Sequence, residues 1–455
     1  MAMGKKKRRQ ESLWISTSDL PTSAGHPFYQ KLNVALDAGG FDLFAEKQCR
    51  RFYAAVMGRP SLSPGRYFRL MMVGYFEGLD SERGMAWRAS DSLGIRKFVG
   101  LGLDEGAPDH STISRTRRLI DVETHQAVFG WVLERLACAG LLRGKTIGID
   151  ATTLEANAAM RSIVRRDTGE TYQEFLTGLA KASGIKTPTR EALARLDRRR
   201  RKRTSNKDWT SPSDPDAKVA KMKDGRTHMA HKAEHAVDMT TGAIVAITLQ
   251  GADRGDTSSL KETLAEAEKQ IDRVALTPEG GESIHEDGVS ELVADRGYHS
   301  DRVLTDLEEQ GLRSYIPEPK RKRRKWDGDI DAQLAVYANR RRVRGGRGKR
   351  LLRARGEKIE RSFAHLYNTG RMRRTHLRGH SNILKRLLIH SSAANLGLLL
   401  RKLVGTGTPR GLQGHPALIR ALLSRLQSAF TAQMERWLCY FLRNHSFLSR
   451  LDLAA

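Results

Sequence analysis

Apolar residues recur at three- and four-residue spacing in "GRYFRLMMVGYFEGL" (65–79) and again in "HQAVFGWVLERLACAGL" (125–141). This period predicts amphipathic helices, and from about 27 to 143 the chain reads as all-α. Between these two runs lies "APDHSTISRTRRLI". Pro108 followed by Asp109 or Ser111 marks a helix start, with Arg115, Arg117 and Arg118 in the first turns. A short helix, a turn and a second helix rich in Ser, Thr and Arg fit a helix-turn-helix reader of DNA. An ordinary surface helix of an all-α domain fits the same text.

At Lys145 the pattern changes to short apolar runs. "KTIGID" predicts a buried strand that stops at Asp150, and "AEHAVDMTTGAIVAITLQ" predicts a β-hairpin turning at Thr-Thr-Gly. A helix over "SSLKETLAEAEKQIDRV" follows, then a second apolar strand, "SELVADRGY", which again stops at an acid, Asp295. "SDRVLTDLEEQGL" is a helix capped by Ser300 and stopped at Gly311; "RSYIPEP" is a short strand; "GEKIERSFAHLYN" is helical. Antiparallel strands first, then strands alternating with helices, predict an α/β fold with a mixed sheet covered by helices.

Five segments follow: a basic flexible arm (1–26), the helical N-terminal domain (27–143), the α/β domain (144–402), a Pro-, Ser- and Arg-rich insertion within it (about 186–228), and a helical C-terminal tail (403–455). Residues 318–356 read as a basic, Gly-containing connection. In the tail, Leu418, Leu422, Leu426 and Phe430 repeat every four residues, as in a helix packed on the body or a self-association face.

Charge narrows the function. Of 455 residues, 79 are Lys or Arg and 52 Asp or Glu, a net charge of +27, so a polyanion is the first partner to consider. The basic residues are spread along the chain rather than gathered on one amphipathic helix, which favours nucleic acid over a membrane surface. No uninterrupted apolar run reaches membrane-spanning length, and no apolar stretch follows the basic N-terminus as in a signal peptide. Cys49, Cys138 and Cys439 are too sparse for a disulfide framework or a Cys-rich zinc site. The expectation is a soluble cytoplasmic protein.

Asp150 and Asp295 invite a chemical reading. Delivered by neighbouring strands, two carboxylates repel unless a proton or cation sits between them. Oxygen-only donors suit Mg²⁺ or Mn²⁺, and a third acid would complete a site for two ions about 4 Å apart. Asp253 and Asp256 ("GADRGDT") are rivals for the second acid, but an Asp before a helix reads as a cap. His228, His231 and His235, with Glu234 among them, have metal-like spacing. On a strand, however, 231 and 235 share a face while 228 points away, so they read as structural or DNA-facing.

The longer text carries a resemblance. "FYAAVMGRPSLSPGRYFRLMMVGYFEGLDSERGMAWR", "PDHSTISRTRRLI", "IGIDATTLEANAAMRSIVRRDTGE", "SNKDWTSPSDPDAKVAKMKDGRTHMAHKAEHAVDMTTGAIV", "VADRGYHSD" and "IERSFAHLYNTGRMRRTHLRGHSNILKRLLIHSSAANLGLLLR" together resemble bacterial insertion-sequence transposases of the DDE type. The resemblance implies an RNase H-like catalytic core behind a helical N-terminal domain. It implies metal and catalytic roles for Asp150, Asp295 and Glu360, with two Mg²⁺ or Mn²⁺ ions; Glu357 is the rival third acid. Tyr337 and Arg340 show only the first spacing of the accessory Tyr-Arg-Glu-Lys pattern. The implied activity is cleavage at the element's terminal inverted repeats and strand transfer into target DNA, by a homodimer on double-stranded DNA. A DNA-binding repressor and an RNase H-like nuclease without strand transfer are the alternatives. Phosphate contacts are then expected from Arg115, Arg117 and Arg118, from Arg321, Lys322, Arg323 and Arg324, from Arg340, and from Arg373, Arg374 and Arg378. Arg198 to Arg203 fit an end clamp, and Trp209 and Trp326 fit either base stacking or packing.

Overall fold

A computed structural model describes residues 26–412, apart from 55–57, 59–60, 201–203, 223, 321–323, 325 and 327. The basic arm and the Leu418–Phe430 stripe of the tail lie outside the described residues.

The first part is helical: α1 (Pro27–Ala38), α2 (Phe41–Cys49), α3 (Pro64–Glu77), α4 (Glu82–Asp91), α5 (Leu93–Val99), α6 (His110–Leu119) and α7 (Val122–Cys138). Their boundaries are local chemistry. Pro27 and Pro64 occupy first-turn positions where a missing N–H costs nothing. Ser81, Ser92, Asp109 and Asp121 each accept a first-turn N–H. Asp109, rather than Ser111, is the cap of α6.

Then come β1 (Thr146–Glu155), β2 (Val164–Arg165), α8 (Tyr172–Ala182), α9 (Arg190–Arg199), β3 (Trp209–Thr210), β4 (Lys218–Lys221), β5 (Thr227–Asp238) and β6 (Ile244–Gly251). They are followed by α10 (Asp256–Ala275), α11 (Pro278–Gly281), β7 (Glu291–Ala294), α12 (Asp301–Glu309), β8 (Arg313–Tyr315), α13 (Ile330–Arg344), α14 (Gly346–Phe363) and α15 (His380–Val404). The main sheet has the order β4-β5-β1-β7-β8, with β6 beside β4 on the outer edge of β5. The hairpin β5–β6 is antiparallel, and β7 and β8 run parallel to β1. This is the mixed, helix-covered sheet of an RNase H-like core.

Alternation along β1 divides its faces. Ile147 and Ile149 join Leu264, Ala267 and Ile271 of α10 in the main core, while Gly148 meets Ile359 of α14. The main core is continuous from Phe28 to Leu400 and draws on α3, α7, α15 and the sheet, so the helical segment and the sheet share one interior. By length and composition alone α15 qualifies as a membrane span, but 83% of its apolar window is buried inside the fold. Two asparagines fasten helices to the sheet by matching both backbone groups of one residue. Asn395 of α15 bonds Ile244 N and O, and Asn339 of α13 bonds Ile316 N and O.

Three sequence expectations need correction. β1 does not stop at Asp150 but continues to Glu155, because β5 pairs with it that far. The basic stretch 318–356 is mostly helix: Arg is a good helix former, and Gly345 ends α13 and starts α14. The insertion, read as beginning near 186, is folded from just beyond β1. Ala156, Ile163, Trp209, Ala217 and Met229 form a small separate core there, and Trp209 packs edge-on to Tyr172 and Phe175. That burial removes Trp209 as a base-stacking platform.

Among the fully buried histidines, His125, His235 and His390 are all pushed down by burial, and they make stability acid-sensitive. His125 lies 3.0 Å from the Tyr67 hydroxyl; His235 contacts Ser362 Oγ at 3.0 Å and the Tyr367 hydroxyl at 2.5 Å. Burial pushes both imidazoles down from 6.5 to about 3. The unfolded chain therefore binds more protons below pH 6.5, and stability falls as pH drops from there, by about 1.4 kcal/mol per pH unit for each histidine. Denaturant titrations between pH 7 and 4 should show this slope, and His235→Gln should remove only its own share, about 1.4 kcal/mol per pH unit, while His125 and His390 keep theirs. A pH-independent stability over that range would contradict the buried neutral state.

Candidate functional site

The two edges of β1 are paired over different lengths. On one edge β5 follows it from Ile147 to Glu155; on the other, β7 pairs only as far as Ile149↔Ala294. Asp150 is the first residue beyond the β7 ladder, and Asp295 is the residue at which β7 turns away. Continuing the register makes them neighbours, and the period of two places both on the face shared by Gly148 and Val293. Asp295 caps the short turn Arg296–Tyr298, its Oδ1 accepting the Gly297 N–H at 2.7 Å. Asp150 accepts Ala151 N–H at 2.8 Å and pairs with Arg355 Nη1 at 2.7 Å. Burial pushes the Asp150 carboxyl above its usual range; Arg355 and the Ala151 N–H pull it back, and the charge of Asp295 adds to the rise.

α14 lies across this face. Its Leu351, Leu352 and Ala354 pack on Met239, Val293 and Tyr315. Ile359 seats on Gly148, Ser362 bonds His235, and the Phe363 ring lies 4.7 Å from His235. Glu360 is exposed, about 100° around the helix from Ile359. Its carboxylate makes no hydrogen bond or ion pair with a described residue. Glu357 is about 160° from Ile359, faces away from the sheet and pairs with Arg361 at 2.7 Å. Among the described residues no three acidic, His or Cys side chains converge to hold one ion. The structure thus places Asp150 and Asp295 together, with Glu360 on the flank of the covering helix. As a donor set, three carboxylates suit a hard divalent cation, and such an ion would compete with Arg355 for Asp150. Arg355 carries no signal in the sequence, because the Arg- and Gly-rich text of the helix that aims it predicts a connection.

The expected DNA-facing arginines divide into two groups. Arg117 is buried and pairs with Glu82 at 2.8 Å. Arg324 pairs with Asp301 and Glu318 and lies over the Trp326 ring. Arg340 forks onto the same Glu318 at 2.7 and 3.0 Å and lies over Tyr337. These three are structural cross-links, and Trp326 is half-buried between Arg324 and Tyr337. Arg321, Lys322 and Arg323 lie outside the described residues, as do 201–203 of the proposed clamp. Arg115 and Arg118 are exposed on α6, and Arg373, Arg374 and Arg378 are exposed on the loop after α14. That loop is fastened to the far end of β1: Glu155 N–H donates to Arg373 O at 2.9 Å, Thr375 N–H donates to Glu155 O at 2.8 Å, and Arg378 Nε donates to Asn157 O at 3.3 Å.

The histidines are structural partners. His231 is buried against Asp214 at 3.1 Å, His235 holds Ser362 and Tyr367, and His228 points away to Asp224 at 2.9 Å. Asp256 lies in the first turn of α10, where Gly255 rather than the acid holds the cap position.

The seat of α14 depends on Gly148 having no side chain. A Cβ there would meet Ile359 Cδ1 at 3.0 Å and Met239 Cγ at 3.2 Å, and collide with Met239 Sδ. Gly148→Val should therefore cost about 1–3 kcal/mol in denaturant titrations. Unchanged stability would mean that α14 is not seated on β1 in solution.

Comparison with known proteins bears on this arrangement. Residues 17–119 match the family model "Transposase domain (DUF772)", and residues 183–396 match "Transposase DDE domain". The second match includes Asp295 and Glu360 and begins after Asp150. No curated protein and no solved structure matches the chain significantly. The two family matches follow one another along one chain in the order of a helical N-terminal part and a sheet-based core, and the chain belongs to the insertion-sequence transposases of the DDE type.

Proposed function

We propose that this transposase cleaves its element at the terminal inverted repeats and joins the freed ends to target DNA, using Asp150, Asp295 and Glu360 to hold two Mg²⁺ or Mn²⁺ ions. The observation that carries the reading is the register of β1 and β7, which brings two carboxylates from distant sequence to adjacent positions on one face. The metal, when bound, supplies the activation of water or a 3′-hydroxyl and the stabilisation of the departing oxygen. The protein's own contribution is to hold the carboxylates and to place phosphates beside them. Asp150 and Asp295 are set by the sheet, and Glu360 by the packing of Ile359 and Phe363. Arg355 keeps positive charge against Asp150 and is placed to meet a phosphate on the same face.

Double-stranded DNA would be gripped by phosphate neutralisation. Support comes from the exposed Arg373, Arg374 and Arg378 on a loop fixed to β1, and from Arg115 and Arg118 on α6. Two ends must be brought together, so a homodimer on DNA, acting in the cytoplasm without a membrane, completes the proposal.

The chemistry is tested on duplexes carrying the DNA that flanks the reading frame, with Mg²⁺ or Mn²⁺. Asp150→Ala, Asp295→Ala and Glu360→Ala should each lose at least about 100-fold in cleavage rate, as loss of a preorganised electrostatic group does. Glu357→Ala should cleave like the wild type. Wild-type protein that binds ends but never cuts them would favour the repressor; cutting without joining would favour the nuclease.

Binding should weaken steeply with salt. The triple variant Arg373→Ala, Arg374→Ala, Arg378→Ala should reduce the slope of log K against log salt by about 2–3, at about 0.9 for each phosphate no longer neutralised. Arg340→Ala should lower thermal stability and leave that slope unchanged. Equal slopes in wild type and the triple variant would remove the loop from the DNA interface.

A further inference from the structure

The side of the sheet opposite the carboxylate face carries a buried ionic network that the proposed reaction does not use directly. Lys232 and Glu234 of β5 are 5% and 1% exposed. Ionised groups at such depth require full sets of partners. Lys232 Nζ has them: Asp256 Oδ1 at 2.7 Å, Ser259 Oγ at 2.9 Å and Arg254 O at 3.3 Å. Glu234 accepts from Ser259 Oγ at 2.8 Å, from Tyr298 OH at 2.6 Å and from Thr263 Oγ1, and lies 3.7 Å from Lys232 Nζ.

This network reaches through the sheet to Asp295 by way of the two residues that end its turn. Gly297 is held between carboxylates. A Cβ on it would collide with Asp256 Oδ2 and lie 3.0 Å from Asp295 Oδ1, the atom that accepts the Gly297 N–H. The next residue, Tyr298, is fully buried and anchored on Glu234. A second acid beside Asp295 is unfavourable by itself, and the Lys232 ammonium on Asp256 offsets that repulsion. The sequence offers a cap as the role of Asp256; Gly255 fills that position, which leaves the acid free to face the turn.

We propose that Asp256, held by Lys232, and Tyr298, held by Glu234, are positioning residues that fix the Asp295 carboxylate for the divalent ion. The proposal rests on the assignment of Asp295 as a metal ligand. Asp256 and Tyr298 act through the turn and not on the DNA. Their loss should therefore change metal affinity while DNA binding stays intact. Partners that orient a metal ligand typically contribute 10- to 100-fold in affinity.

The test is Mn²⁺ binding by the full-length protein, followed by electron paramagnetic resonance without DNA, together with the Mn²⁺ dependence of cleavage. Asp256→Asn and Tyr298→Phe should raise the half-saturating Mn²⁺ concentration about 10-fold or more. Cleavage should recover at high Mn²⁺, and end binding and far-ultraviolet circular dichroism should match wild type. Tyr298→Phe removes one hydroxyl and keeps the packing, so it decides the matter if Asp256→Asn fails to fold. Asp253→Asn, on the same loop and exposed, should behave as wild type. Unchanged Mn²⁺ dependence in both variants, beside a loss in Asp295→Ala, overturns the positioning role and leaves the metal site standing. Unchanged Mn²⁺ binding in Asp295→Ala overturns the metal-site assignment, and this proposal with it.

Discussion

β1 is hydrogen-bonded along both edges, and the different lengths of its two ladders set the rest of the structure. The β5 ladder runs on to Glu155, whereas the β7 ladder ends at Ile149. Asp150 is therefore held in regular strand geometry by β5 while its other edge opens where Asp295 leaves the sheet. Strand periodicity then turns both acids toward one face, because Ile147, Ile149, Leu292 and Ala294 take the other face and go to the core. A slip of one residue would exchange acids and core residues together, so the burial of the isoleucines also fixes the side on which the acids emerge.

The two faces are built differently. The carboxylate face is covered by α14, whose approach depends on Gly148 and whose end is tied to His235 through Ser362. The opposite face combines apolar packing under α10 with the Lys232–Glu234 network, where each buried charge has hydrogen-bonding partners. Partial networks of this kind destabilise a core, whereas satisfied ones hold a single arrangement. Asn339 and Asn395 extend the same logic to α13 and α15, each matching both backbone groups of one residue. Polar groups thus position the helices, and apolar burial holds them there.

The basic excess also has two uses. Arg117, Arg324 and Arg340 are bound to acids within the fold, while Arg115, Arg118, Arg373, Arg374 and Arg378 are exposed, Arg374 with Glu155 at 3.7 Å. The planar guanidinium forks onto carboxylates as readily as onto phosphate, so a run such as 320–325 does not reveal which partner each arginine takes. Glu318 collects two of them from positions that sequence order keeps apart.

Helix starts, the hairpin turn and the order of strands and helices were legible in the sequence because they depend on residues a few positions apart. Ser300 and Asp109 cap the helices they precede, and Thr240–Gly242 make the turn between β5 and β6. The resemblance to DDE transposases was legible for a related reason: family text is written residue by residue along the chain. The extent of β1 was not legible, since its second half is a strand only because β5 pairs with it. Nor were the helical nature of 330–355, the burial of Trp209, the Arg355–Asp150 ion pair, or the place of Asp256 beside Gly297. The sequence by itself determined the elements, through local periodicity and capping, and ended two of its predicted strands at Asp150 and Asp295; Glu360 was singled out only by the family resemblance. Only the tertiary structure decided which acids are neighbours and which arginines are tied to acids inside the fold, because those facts depend on register and packing between segments tens to hundreds of residues apart.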